Sequence, residues 1–261
     1  MTEEEKSRKA HADELFSAMS DSDFIALLGV PVDSRIYKSG VWKQRRWGGR
    51  QYGIQVSIGH PKLDLCSRFI GVDRRGNKYI ENNILVVKKE FQGEGLGTRI
   101  LAAEAENAIK GGFSYIQAHA AGSVQSSMNG YSTWPKLGFN ESLESMSENT
   151  PTLVMEIREE FPDAEDILDI MSTKKGRDWW EKNGRGLHDA RFDLSKGSKS
   201  RLVLKAYLES KGMPVPDVVK GIRGYPNSIM EKSLKPPHVK ESYFATCERE
   251  LGRCLPRGQH G

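Results

Sequence analysis

Cysteine is scarce. Cys66, Cys247 and Cys254 are the three in 261 residues, an odd number at no metal-like spacing. That argues against a disulfide-stapled scaffold and a zinc site; reduced thiols and no metal are the expectation. Long apolar runs are missing too. Nothing approaches the ~20 residues that span a bilayer, and the opening MTEEEKSRKAHADELF lacks the apolar core of a secretory leader. An intracellular, cytoplasmic protein with no membrane partner is expected. Excess charge of one sign is also small: 39 Lys and Arg against 35 Asp and Glu leave +4. Nucleic acid is therefore not the expected main partner, although a polyanionic small ligand is compatible. Apolar residues make up 37% and charged residues 28%. The length suffices for a real core plus an appendage, and no internal repeat is visible.

The chain opens helical. Thr2 and Glu5 form a capping box for a helix over 2–19, with Ala12, Leu15, Phe16 and Met19 on one stripe. A second helical piece, about 21–28, stops before Gly29 and Pro31. From Tyr37 to Val87 the pattern is of strands. Residues 51–58 alternate, 63–72 form the next strand, the turn Asp73-Arg74-Arg75-Gly76-Asn77 reverses direction, and 78–87 return. A helix over 97–110 ends at Gly111-Gly112. Strands are expected at 113–120 and, last, at 152–157. Beyond Glu160 the pattern turns helical: 164–171, a helix capped by Thr173 and ending at Gly184, and one capped by Ser198 and ending at Gly212. The expected organisation is an N-terminal helical segment (1–30), a central α+β domain (31–160), a helical extension (161–212) and a proline-containing, loosely packed tail (213–261).

Between strand 78–87 and helix 97–110 lies Gln92-Gly93-Glu94-Gly95-Leu96-Gly97. Glycines let a backbone approach a ligand without a Cβ in the way. The first helical turn that follows presents unpaired N–H groups and the positive end of the helix dipole, which suits phosphate. The spacing is neither the G-x-G-x-x-G of dinucleotide folds nor a P-loop, since Thr98 and Arg99, not a Lys-Ser/Thr pair, follow Gly97. A glycine-rich turn that binds nothing is the plain alternative.

Gln92-x-x-Gly95-x-Gly97, preceded by the apolar Leu85-Val86-Val87 and the aromatic Phe91, resembles motif A of the GNAT N-acetyltransferase superfamily. Trp134-Pro135-Lys136-Leu137-Gly138-Phe139 resembles the end of that family's motif B. The resemblance covers about residues 35–157. It implies an α+β fold with a mixed, partly splayed central sheet flanked by helices, here with a C-terminal helical extension. It also implies acetyl-CoA as co-substrate, with no metal. Leu85, Val86 and Val87 would meet the pantetheine arm, and the amides of Gln92, Gly93, Glu94, Gly95, Leu96, Gly97 and Thr98 would hold the pyrophosphate. Ser123, Ser126 and Asn129 would hydrogen-bond the pantetheine or the substrate, unless they form an ordinary polar loop.

An amine acceptor, with a pKa of ~10.4 for a lysine-type and ~7.8 for an α-amine, must lose a proton before attack. Strand period 2 puts Glu81, Asn83, Leu85 and Val87 on one side. Glu81 falls where the histone-modifying branch of the family has its general base; a solvated or ion-paired glutamate is the alternative. The Val87 N–H is the family-like oxyanion donor. The family's acid, a tyrosine four residues before Gly138, is replaced by Trp134. Tyr131 is the nearest substitute, or else a packed aromatic, and a thiolate can also leave without an acid.

The remaining candidates are weaker. His119 ends a strand and is expected to be structural. Trp179 and Trp180 are expected in the core or at a docking face. Lys196, Lys199, Arg201 and Lys205 form a solvated helix face or a surface for an acidic partner. The function expected is transfer of an acetyl group from acetyl-CoA to an unidentified amine; a GNAT-like non-catalytic acyl-CoA-binding module is the alternative.

Overall fold

The computed structural model describes residues 2–45, 49–126 and 128–217. Cys247, Cys254 and most of the expected tail lie outside the described residues. The chain opens with α1 (Glu3–Ser17) and α2 (Asp21–Leu27). The predicted capping box is present: Glu5 N–H donates to Thr2 Oγ1 at 3.1 Å and Thr2 N–H to Glu5 Oε2 at 2.9 Å. Ser20 and Asp23 repeat the device on α2. Ala12, Phe16 and Phe24 carry both helices into the core.

Four strands follow, β1 (Arg35–Arg45), β2 (Gly49–Gly59), β3 (Leu63–Val72) and β4 (Lys78–Val87). A 3-10 turn over Lys89–Phe91 leads into α3 (Leu96–Lys110), β5 (Tyr115–Ser123) and α4 (Gly130–Lys136). Then come α5 (Leu143–Ser147), α6 (Pro151–Glu160), α7 (Ile167–Met171), α8 (Lys174–Asn183), β6 (Arg185–Asp193) and α9 (Lys199–Ser210). The six strands form one mixed sheet in chain order, antiparallel throughout except for the parallel pair β4–β5. Register aligns Ile54, Ile70, Ile80, Ile116 and Phe192 in one row across five strands. Ile70, Ile80, Ile116 and Phe192 are fully buried there, each such side chain contributing about 1.5–3 kcal/mol by leaving water. Ile100, Leu101, Ala105 and Ala108 of α3 join the same core. The fold is α+β, a six-stranded mixed sheet flanked by helices and consistent with a GNAT-like fold. Among the described residues no helix is long and apolar enough to cross a membrane.

Three expectations are corrected. Residues 152–157 form part of helix α6, not a last strand. Pro151 suits a first helical turn, and the buried Leu153, Val154 and Ile157 are spaced for a helical face rather than alternating. The sheet's last strand is instead β6, beyond Glu160. A bulge hides it from period-2 reading: Ala118 and Ala120 of β5 face Ala190 and Leu187, so His188 and Asp189 together fill one step. A second bulge alters β4. Arg68 faces Asn82 while its neighbour Ser67 faces Ile84, which leaves Asn83 as an extra residue. Side-chain alternation therefore changes phase there. Leu85 and Val87, opposite the core residues Cys66 and Leu63, pack on the core and no longer share a side with Glu81.

Candidate active site

Strands β4 and β5 pair only from Tyr79↔Tyr115 to Asn82↔Ala118. Past that rung β4 runs on to Val87 and β5 to Ser123, but β5 continues pairing only with β6, through Ala120 and Ser123. A wedge-shaped opening results, with the main-chain edges of Ile84–Val87 on one side and of the end of β5 on the other.

The glycine turn sits at the end of the β4 wall. Gly93 and Gly95 are both left-handed, with φ of 83° and 74°, a region that glycine enters without penalty. Gly95 is the N-cap residue of α3, and no side chain caps the first turn. The N–H groups of Leu96, Gly97 and Thr98 are thus left for a ligand at the positive end of a fifteen-residue helix. The space is open beside Gly93 and Gly97, while Met213 lies against Gly95. A Cβ on Gly93 would meet nothing within 4 Å, and one on Gly97 only Leu85 Cδ2 at 3.7 Å. Two hydrogen bonds brace the turn: Gln92 Nε2 donates to the Val87 carbonyl at 2.8 Å, and Arg99 Nη1 to the Glu94 carbonyl at 2.7 Å. Room beside uncapped amides is what a diphosphate requires, so this turn could hold one.

Glu81 lies one rung before the strands part, directly opposite Gln117 of β5, with Oε2 shielded from solvent. Gln117 Nε2 donates to Asp189 Oδ1 at 3.2 Å, and the Asp189 N–H donates to Glu141 Oε2 at 3.3 Å. Burial pushes the Glu141 carboxyl above its usual range, opposed by donation from the His188 and Asp189 amides. A polar row thus runs from Glu81 through Gln117 to Asp189. Sequence reading missed its far end because the β6 bulge masks the alternation that would reveal the strand. His119 is exposed, its ring centroid 5.3 Å from that of His188.

Tyr131, buried in the first turn of α4, directs its hydroxyl at the Glu181 carbonyl of α8, 3.5 Å away. Burial and the Glu181 charge raise its pKa, so it stays protonated at neutral pH. Trp180 Nε1 donates to the Tyr131 carbonyl at 2.8 Å, which ties α8 to α4. Asn129 is the exposed N-cap of α4 and bridges to Gly122 of β5, beside the mouth of the opening. Trp134 packs edge-on against Phe139, centroids 4.7 Å apart. Trp180 is fully buried, Trp179 packs on Phe161, and Lys199 pairs within the molecule with Asp166 and Asp169. Among the described residues no cluster of His, Cys, Asp and Glu has the makings of a metal site.

No family model and no curated protein matches this chain. Among solved structures it is similar to a nourseothricin acetyltransferase, at 13% identity over 39% of this chain and 69% of that one, with a TM-score of 0.20. A likeness of that size carries no functional conclusion.

Proposed function

We propose that this protein is an acyl-CoA-dependent N-acetyltransferase that moves an acetyl group to an amine by direct attack. One observation carries the reading: β4 parts from β5 at Asn82↔Ala118 and then runs into an uncapped glycine turn at a helix N-terminus. An exposed strand edge suits the amides of a pantetheine arm, as added strands pair elsewhere. The open turn suits the diphosphate that follows. The motif resemblance of Gln92-x-x-Gly95-x-Gly97 points to the same ligand.

In this reading Leu85, Val86 and Val87 line the arm, the amides from Gln92 to Thr98 hold the diphosphate, and Asn129 contributes at the mouth. The acceptor nitrogen attacks the thioester carbonyl carbon; the C–N bond forms and the C–S bond breaks. Glu81 takes the amine proton, directly or through water. The Val87 N–H stabilises the oxyanion. Tyr131 supplies a proton to the departing sulfur, or the sulfur leaves as thiolate.

A non-catalytic acyl-CoA-binding module is the second reading. Trp134, which has no proton to give a thiolate, stands at the expected tyrosine position and favours it. Titration calorimetry with acetyl-CoA and with CoA, followed by thiol release across amines, peptides and aminoglycosides, separates the cases. Thiol release with any amine supports the enzyme. Binding without release leaves the module, and absence of binding removes both.

A further inference from the structure

Beneath the point where β4 and β5 part lies a buried polar triad. Arg68 of β3, Asn82 of β4 and Glu104 of α3 are 1%, 2% and 0% exposed. Arg68 Nε meets Glu104 Oε1 at 3.1 Å, and Asn82 Nδ2 donates to Glu104 Oε2 at 2.8 Å. The guanidinium also reaches main chain: Nη1 donates to the Ile84 carbonyl at 2.9 Å and to the Ser67 carbonyl at 3.1 Å. These carbonyls flank the β4 bulge, since Ser67 and Ile84 are the first partners past the extra residue Asn83. Asn82 is the last residue of β4 that pairs with β5.

Such a triad is a poor device for stability. Taking an ion pair and an amide out of water costs several kcal/mol, and apolar side chains of similar volume often do as well or better. Here Asn82 Oδ1 is also buried without a hydrogen-bond partner among the described residues, a further cost. Its placement explains it better. By bonding the Ser67 and Ile84 carbonyls, Arg68 fixes the β4 bulge against β3 just past the last β4–β5 rung, and Glu104 ties that rung to the helix that carries the glycine turn.

We infer that Arg68, Asn82 and Glu104 are positioning residues that hold the β4 bulge, and with it the separation of β4 from β5, open for the pantetheine arm. The inference rests on the acyl-CoA reading above. Its test is the full chain carrying Arg68→Met, Asn82→Leu and Glu104→Met together. The variant should melt at or above the wild-type temperature while its Kd for CoA rises about tenfold or more, the scale of an ångström-level misplacement. Its crystal structure should show the β4–β5 ladder continuing beyond Asn82↔Ala118.

A folded variant that binds CoA within about twofold of wild type, the usual scatter between independent sites, would overturn the inference, as would an unchanged ladder. Should the triple variant not fold, Arg68→Lys decides: it keeps the charge but loses the forked donor set, and an unchanged CoA affinity in it overturns the inference. Failure of wild type to bind CoA removes the acyl-CoA reading instead, and the ladder in the variant then judges the strand separation alone.

Discussion

Met213 lays its thioether against Gly95: a Cβ built on that glycine would stand 3.3 Å from Met213 Cε and 3.8 Å from its sulfur. The chain after α9 thereby returns to the turn at the head of α3, with Met213 anchored by its N–H to the Leu208 carbonyl at 2.9 Å. Gly95→Ala is expected to destabilise the protein by about 1–2 kcal/mol, chiefly because a left-handed φ of 74° is costly for a residue with a Cβ. The flexible Met213 tip yields cheaply, so the cost should be nearly the same in a Met213→Ala background. Urea melts of the four proteins check this. A much smaller cost in that background would mean that crowding, not backbone strain, fixes the glycine.

Two positions further on, Gly97 poses the opposite case. Its Cβ would meet only Leu85 Cδ2 at 3.7 Å, and it lies in the first turn of α3. A glutamate there suits the helix dipole, so Gly97→Glu should leave stability unchanged or raise it by about 0.3–0.5 kcal/mol. The same substitution puts a negative charge where the diphosphate is proposed to sit, and CoA binding should fall below detection. Calorimetry paired with a thermal melt reads both. A stable variant with wild-type affinity would remove the glycine turn from the ligand site.

Glu81→Gln should slow acetyl transfer at neutral pH while cofactor affinity is kept, because only the proton acceptor is lost. The deficit should shrink as pH rises toward the amine's own pKa, ~10.4 for a lysine-type acceptor, where the reactive neutral form no longer needs a base. A pH–rate profile of kcat/KM for both enzymes decides. Parallel profiles would take Glu81 out of the mechanism.

Much of this was legible in the sequence. Strands β3 and β4 fall where turn chemistry around Gly76 put them, and α1 and α3 where their caps and apolar stripes did. What escaped was set by non-local pairing. The bulges at Asn83 and at His188-Asp189 exist only because a neighbouring strand offers one residue where two are supplied, and period-2 reading cannot anticipate that. So the phase change after Glu81 and the strand bearing Asp189 were both lost. Nothing local in the sequence marks Arg68 and Glu104, 36 residues apart, as buried partners. The short run 152–157 is too short for length to separate strand from helix, and Pro151 is the residue that marks a helix start.

Lys199 offers a pH-dependent test of how the C-terminal helices are held. Its Nζ meets Asp166 Oδ2 at 2.9 Å and Asp169 Oδ1 at 2.6 Å, joining α9 to α7. Burial alone would raise the Asp166 pKa, but bonds from Lys199, Asn140 and the Asp169 amide outweigh it and hold the carboxyl below its usual range. A depressed folded-state pKa gives stability that is present above the unfolded value of ~3.9 and lost as pH falls through the folded one. The lysine is 44% exposed, so solvent screens the pair. Lys199→Met should therefore cost only about 0.5–1 kcal/mol at pH 7. Its deficit should fade in acid, as the pH falls below the unfolded value of ~3.9 and through the lowered folded-state pKa of Asp166. Urea melts at neutral and at acid pH check the sign, and a deficit that persists in acid would assign the effect of Lys199 to its alkyl packing rather than to its charge.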